Sequence, residues 1–365
     1  MRSMSDTLAR LAKLRAVQQP AWPSTSKLVD LGPFGSNPGM LEARIHVPSE
    51  LAERPGMVIV LHGCAQTAAA YEHGSGWSRL ADEYGFVVLY PQQTTQNNAN
   101  TCFNWFVPGD IRRGEGEALS IRQMIDTAVK FHHIDPARIF VTGLSAGGAM
   151  ANVMLATYPG VFAGGAVIAG LPYGCASTVP EAFNRMRGHG LPSRAKLQSR
   201  LRLASDHDGP WPAISVWHGT GDNTVVPSNG QSIVTQWQGV HGVDPGDASI
   251  HMGEGHTIIS WKNPQGIVAI EHIAIAGMGH GTPIDVAGGY GRSAPYMLDV
   301  GFSSTLHSAR SWGLTPSFEK RNPRTVDIPS GTTSLSAAKV VRPQAEAGGI
   351  QKIIEDALRS AGLMK

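Results

Sequence analysis

Apolar residues along the chain form short runs typical of buried β-strands, separated by stretches in which apolar residues recur at helical spacing. The runs predict strands over 57–62, 86–90, 138–144, 163–169, 213–218 and 268–276, and 41–47 alternates like an edge strand. Helical spacing between these runs predicts helices over 71–84, 118–131 and 146–158. This alternation predicts an α/β fold with a mostly parallel central sheet covered by helices on both faces.

Residues 175–212 interrupt this rhythm between two predicted strands. The segment is mixed in charge and rich in Arg, Gly and Pro, so it is either a cap over a site or a plain surface excursion. Outside the main domain, expected at 28–313, we predict an N-terminal helix or extension in 1–27. A disordered linker at 314–348 and an amphipathic helix within 349–365 are predicted to follow.

Composition excludes several classes of protein. The chain is 42% hydrophobic and 16% charged, as in an ordinary globular protein, and its net charge of +2 gives no field that would select nucleic acid or anionic lipid. No run of apolar residues is long enough to predict a membrane span. The amino terminus lacks the apolar core of a secretory signal, so a cytoplasmic location is the default expectation.

A Gly-x-Ser-x-Gly pattern, Gly143 to Gly147, lies where the strand 138–144 meets the helix 146–158. The pattern alone is weak evidence in a chain with 43 glycines. Its position makes it specific, because a strand that turns tightly into a helix lifts the serine hydroxyl above the sheet. Ser145 is therefore the predicted nucleophile of a serine hydrolase.

A serine nucleophile needs a histidine as base and a carboxylate that orients the histidine, in the chain order serine, acid, histidine for this arrangement. Asp222 follows the strand 213–218, and His280 follows the strand 268–276. Because catalytic groups gather at the carboxyl ends of parallel strands, we predict these two residues as the acid and the base. Rival acids that lack such a position are Asp206, Asp208 and Asp285.

The oxyanion of the tetrahedral intermediate needs two backbone donors, one after the nucleophile and one from an earlier loop. The candidates are the amides of Ala146 and of Cys64, which lies in the loop 61–66. The Cys64 thiol is interpreted as structural, with a nucleophilic cysteine as the alternative. A Cys64–Cys102 disulfide would add roughly 4 kcal/mol in an oxidising compartment, whereas reduced thiols are the default expectation without an export signal.

Six spaced blocks of the chain resemble the esterase family named for polyhydroxybutyrate (PHB) depolymerases. The blocks are 61–64, 102–106, 143–148, 171–174, 217–222 and 279–281. The resemblance covers about 28–313 and implies an α/β-hydrolase that acts on carboxylic esters, with Ser145, Asp222 and His280 as triad and the amides of Cys64 and Ala146 as oxyanion hole. It also implies that Trp105 lies near the surface that binds the acyl group or polymer, with a buried core tryptophan as the alternative.

The expected function is hydrolysis of hydroxyalkanoate esters or oligomers through an acyl-enzyme, with no metal or organic cofactor. A feruloyl or acetyl carbohydrate esterase is the alternative within enzymes, and a catalytically silent binding protein on a hydrolase scaffold is the alternative outside them. Family relatives are often exported, so an extracellular location also stays open. The expected partner is a small ester or polyester oligomer, and the sequence gives no oligomeric state.

Overall fold

The computed structural model describes residues 26–315. The two predicted terminal helices and nearly all of the predicted linker lie outside the described residues. Inside them, one large sheet has ten strands in the order β1-β2-β4-β3-β5-β6-β7-β10-β9-β8, and a second sheet pairs β11 with β12. The strands are β1 (Val29–Asp30), β2 (Glu42–His46), β3 (Met57–Leu61), β4 (Val87–Gln92), β5 (Ile139–Leu144), β6 (Gly164–Ile168), β7 (Ala213–Gly219), β8 (Ser249–Gly253), β9 (His256–Lys262), β10 (Val268–Ile275), β11 (Thr282–Ile284) and β12 (Met297–Asp299).

The centre of the large sheet is parallel, from β4 through β3, β5, β6 and β7 to β10. Antiparallel strands extend both edges. Eight α-helices accompany the described strands: α1 (Ala68–Ser75), α2 (Trp77–Tyr84), α3 (Gly116–His132), α4 (Ala146–Thr157), α5 (Val179–Met186), α6 (Arg194–Arg202), α7 (Ser228–His241) and α8 (Ser304–Ser311). The predicted α/β architecture with a mostly parallel sheet is confirmed.

The two faces of the sheet are covered by different apolar clusters, as alternation along a strand requires. In β3, Ile59 belongs to the cluster with side chains of α3, α4 and α7, while its neighbour Val60 belongs to the cluster with side chains of α1, α2 and α8. Every residue of β3 is buried, because both of its faces are covered. This explains why its sequence reads as a continuous apolar run.

The predicted helix 71–84 is two helices, because α1 and α2 are separated at Gly76. This glycine has φ of 81°, and a Cβ placed on it would lie 1.8 Å from the carbonyl oxygen of Tyr290. The predicted edge strand 41–47 is β2, which is flanked by the two-residue β1. Strand β4 also continues through Pro91, which lies opposite Ala43 of β2, whereas the parallel pairing of β4 with β3 ends at Leu89.

Residues 175–212 contain α5 and α6. Helix α6 packs against α7. The carboxyl end of α5 is held by the segment after β7, where the amide of Val226 donates to the carbonyl of Met186 at 2.9 Å and the Asn229 side chain donates to the carbonyl of Arg185 at 2.8 Å. The segment is thus attached at the carboxyl edge of the sheet. Between residues 26 and 315, none of the helices combines the length and apolarity needed to cross a membrane.

Candidate active site

Ser145 lies in the tight turn between β5 and α4. Its backbone has φ of 58° and ψ of −117°, a conformation that costs free energy for a residue with a side chain. The turn is held because the amide of Ser145 donates to the carbonyl of Ile168 at 2.9 Å. Gly147 brings the first turn of α4 against the loop after β3, since a Cβ there would lie 2.3 Å from the carbonyl oxygen of Leu61. This is the geometry of a nucleophile elbow.

Asp222 and His280 follow β7 and β10, which are neighbouring parallel strands. Their carboxyl ends lie side by side, and the Nδ1–H of His280 donates to Oδ2 of Asp222 at 2.7 Å. The other oxygen, Oδ1, accepts from the amides of Thr224 at 2.9 Å and Val225 at 3.0 Å. Asp222 is only 2% exposed, so three donors satisfy a buried carboxylate.

Ser145 and His280 line the same cavity of about 40 Å³. Cys64, Met186 and Tyr296 are among its other walls, so the loop after β3, helix α5 and the segment before β12 all contribute. The cavity has room for only a few water-sized groups. Its size and mainly apolar lining suit a short acyl chain.

The loop after β3 turns sharply beside the serine. The amide of Gly63 donates to Oε1 of Gln66 at 2.9 Å, and the amide of Gln66 donates back to the carbonyl of Gly63 at 3.3 Å. Among residues 26–315, the amides of Cys64 and Ala146 have no acceptor, which leaves both free for a ligand atom. The role of Gln66 was not predicted, because a polar residue in a loop carries no sequence signal of its own.

Cys64 is joined to Cys102 by a disulfide bond. The expectation of reduced thiols therefore differs from the structure at this pair, and a nucleophilic Cys64 is excluded because its sulfur is already bonded. Cys175 is buried and unpaired, and burial raises its thiol pKa to about 12. The disulfide fixes the loop 61–66 to the loop that precedes Trp105.

A buried carboxyl on α3, Glu117, holds the same second loop. Its Oε1 accepts from the side chains of Gln93 at 2.6 Å and Asn97 at 2.8 Å, and its Oε2 accepts from the amide of Asn104 at 2.9 Å. Burial raises the pKa of Glu117 to about 8. The pattern of α3 in the sequence gave no indication of this contact, because all of its partners come from one distant loop.

His62 connects this network to the loop beside the serine. Its Nδ1–H donates to the carbonyl of Gly63 at 2.8 Å, and its Nε2 accepts from the amide of Gln93 at 3.1 Å. Burial lowers the pKa of His62 to about 4, so the ring is neutral near pH 7. A neutral ring with one donor and one acceptor fits both contacts.

Trp105 is 6% exposed and packs in a cluster with Ala146, edge-to-face against Phe106 at 5.1 Å between ring centroids. It is not among the residues that line the cavity of Ser145, in the described part of the chain. Its burial favours the core alternative, and a direct contact with substrate stays a prediction. The rival acids Asp206 and Asp208 line a separate surface groove.

Comparison with known proteins agrees with this geometry. The family model described as esterase PHB depolymerase matches residues 42–258. Poly(3-hydroxyalkanoate) depolymerase C of Paucimonas lemoignei is 46% identical over 298 residues, which are 80% of this chain and 71% of the relative. Acetylxylan esterase A of Aspergillus oryzae is 32% identical over 269 residues, 72% of this chain and 86% of that protein.

Among solved structures, the acetyl xylan esterase from Aspergillus awamori has a TM-score of 0.67 and 25% identity, and the match covers 80% of this chain and all of that one. A shared fold, a match over more than half of the chain and a relative 46% identical agree with the resemblance inferred from the motifs. The α/β-hydrolase fold and the activity of a carboxylic ester hydrolase are therefore confirmed. The chain belongs to the esterase PHB depolymerase family.

Proposed function

We propose that Ser145, Asp222 and His280 form the catalytic triad of this esterase. The observation that carries the proposal is the 2.7 Å hydrogen bond from His280 to the buried Asp222, together with the cavity that His280 shares with Ser145. With Nδ1 donating to the carboxylate, Nε2 is the ring nitrogen left to accept the serine proton. The amides of Cys64 and Ala146, free of protein acceptors in the described chain, are the proposed oxyanion donors.

The reaction proceeds in two halves. Ser145 Oγ attacks the ester carbonyl while His280 takes its proton, and the negative charge that develops on the carbonyl oxygen is stabilised by the two amides. His280 then protonates the leaving alcohol, which departs and leaves an acyl-enzyme. Water, activated by His280, attacks the acyl-enzyme and releases the acid with the serine restored.

The proposed substrates are hydroxyalkanoate esters or oligomers. The support is the 46% identity to a poly(3-hydroxyalkanoate) depolymerase and the narrow, mainly apolar cavity, which suits a short acyl chain. Acetylated carbohydrate is the second candidate, because several relatives are acetylxylan esterases and an acetyl group also suits a small cavity. Hydrolysis rates on hydroxybutyrate oligomers, acetylated xylan and methyl ferulate separate these candidates and the feruloyl alternative.

The triad is tested with Ser145→Ala, using a short p-nitrophenyl ester and a fluorophosphonate probe. We expect a folded protein whose kcat falls by at least about 10³-fold and which no longer reacts with the probe. Ser199→Ala, on the exposed side of α6, is the matched control and should keep full activity. Turnover that survives in Ser145→Ala contradicts the proposal.

A further inference from the structure

A second buried histidine, His218, lies beside the proposed triad carboxylate. It is the last but one residue of β7 and is 1% exposed. Its Nε2 lies 2.7 Å from the carbonyl oxygen of Val225 and 3.6 Å from Oδ2 of Asp222. Because a carbonyl oxygen only accepts, the proton of the neutral ring is on Nε2.

The contact with Val225 closes a small ring of interactions around Asp222. The amide of Val225 donates to Oδ1 of Asp222 at 3.0 Å, while its carbonyl accepts from His218. The carbonyl of Val225 is thus held by His218 of β7, and the amide of Val225 in turn holds the carboxylate of Asp222. At 3.6 Å, His218 Nε2 is too distant for a hydrogen bond to Oδ2, so its N–H acts on the carboxylate through Val225.

The surroundings of His218 keep it a donor and exclude a role as a second base. His280 and His272, from the loop after β10 and from β10, are the titratable groups that face it besides Asp222. Burial is the largest influence on the pKa of His218 and lowers it. Within residues 26–315 its Nδ1 has no hydrogen-bond partner, and Gly230 of α7 packs so closely that a Cβ there would lie 2.9 Å away from this nitrogen.

We infer that His218 is a positioning residue of this esterase, whose Nε2–H holds the turn 222–225 and thereby aims Asp222 at His280. The inference rests on the proposed triad. If His218 only fills space, turnover does not depend on its Nε2–H. A positioning role predicts that the N–H is needed for kcat and that the imidazole ring is not.

Two amide replacements separate these possibilities. In His218→Gln the side-chain NH₂ reaches the position of Nε2, whereas in His218→Asn it reaches only the level of Nδ1. A hydrogen bond of this kind contributes about 1–3 kcal/mol when its loss leaves a buried group unpaired, which corresponds to roughly 5- to 150-fold in rate. We expect kcat of His218→Asn to fall within that range with KM changed less than about twofold, and His218→Gln to keep kcat within about threefold.

His241 supplies the matched control, because it is a buried histidine against Pro212 at the other end of β7. We expect His241→Asn and His241→Gln to have the same kcat as each other. All rates are divided by the number of sites that react with a fluorophosphonate probe, so that unfolded protein does not count. His218→Leu, which removes the N–H without adding a polar group, has the same expectation as His218→Asn if the latter does not fold.

Three results overturn the inference: wild-type kcat in both His218→Asn and His218→Leu, a His218→Gln enzyme as slow as His218→Asn, or a change confined to KM. Each of them leaves the proposed triad standing, as long as Ser145→Ala is inactive. Failure of the triad itself is recognised separately, by turnover in Ser145→Ala.

Discussion

Cys64 is bonded to Cys102, so the residue whose amide is a proposed oxyanion donor is itself one half of a disulfide. The two α-carbons lie 4.2 Å apart although 38 positions separate the residues in the chain. The bond holds the loop 61–66 against the loop that leads to Trp105. A covalent connection at this point limits how far the Cys64 amide can move away from the serine.

Removal of the disulfide should lower both stability and turnover. Chain entropy for a loop of this length corresponds to about 4 kcal/mol, and Cys102→Ser should lose a free energy of unfolding of that order, measured by urea denaturation. We also expect kcat to fall by roughly tenfold, because the oxyanion donor is held less rigidly. Wild-type protein in dithiothreitol should reproduce the stability loss.

Cys175→Ala is the matched control for this experiment, because Cys175 is buried but unpaired. Because this variant keeps the Cys64–Cys102 disulfide, dithiothreitol should lower its urea midpoint by the same amount as that of the wild type. A Cys102→Ser protein as stable as the wild-type oxidised form contradicts a role of the disulfide in holding the two loops.

Met186 should limit the length of acyl chain that the enzyme accepts. It is the last residue of α5, within the segment 175–212, and it lines the cavity with Ser145. Met186→Ala should enlarge the cavity, and because a buried methylene contributes about 0.8 kcal/mol, the ratio of kcat/KM for p-nitrophenyl octanoate over acetate should rise by roughly tenfold. Met252→Ala, on exposed strand β8, should leave the ratio unchanged. An unchanged ratio in Met186→Ala removes Met186 from the acyl site.

The parts of the site that the sequence made predictable are those at the ends of buried strands. Asp222 and His280 could be chosen among many candidates because β7 and β10 are mostly apolar segments, and parallel strands bring their carboxyl ends to one edge. The Gly-x-Ser-x-Gly pattern around Ser145 itself predicts a tight turn from strand to helix. Position along a strand was therefore enough to select Asp222 and His280. The structure joins these two residues by a hydrogen bond and places His280 in the same cavity as Ser145.

Contacts made by single side chains across long distances in sequence were not predictable. In the sequence, Glu117 is an ordinary residue of an amphipathic helix. Its role depends on hydrogen bonds from Gln93 and Asn104, which lie in a different loop. The break at Gly76 depends on a carbonyl of Tyr290, more than two hundred positions away. Likewise, nothing in a chain with 14 histidines distinguished His218, because its function depends on the distance to Val225 and Asp222.

Buried histidines should make the fold sensitive to mild acid. Burial lowers the pKa of His62, His241 and His272 to about 4, from 6.5 in an unfolded chain. Between those values the unfolded state binds more protons, so stability is fully present above pH 6.5 and is lost as pH falls toward 4. The free energy of unfolding, measured by urea denaturation from pH 4 to 6.5, should rise with pH by on the order of 1–3 kcal/mol per histidine. A flat profile over this range contradicts their burial as neutral groups.

Glu117 should act in the opposite direction at higher pH. Its pKa is raised by burial to about 8 from 4.5, so the folded state holds the extra proton between these values, and stability is lost as pH rises through 8. Together with the histidines this places the wild-type stability maximum near pH 6.5. In Glu117→Gln the decline from pH 6.5 to 8.5 should disappear, although the amide lowers stability overall by leaving one donor unpaired. Parallel urea profiles for the two proteins in this range contradict the assignment.

Gly147 should tolerate no side chain, because it is the point where α4 meets the loop after β3. A Cβ at Gly147 would lie 2.3 Å from the carbonyl oxygen of Leu61 and 2.4 Å from that of His62, and backbone atoms cannot rotate away. Gly147→Ala must therefore push apart Ser145 and the loop of Cys64, and we expect kcat to fall at least 100-fold with a loss of stability of a few kcal/mol. Gly109→Ala, where a Cβ meets nothing within 4 Å, is the control and should behave as wild type. If the two variants hydrolyse a short p-nitrophenyl ester equally well, the close approach of these two segments is not what organises the site.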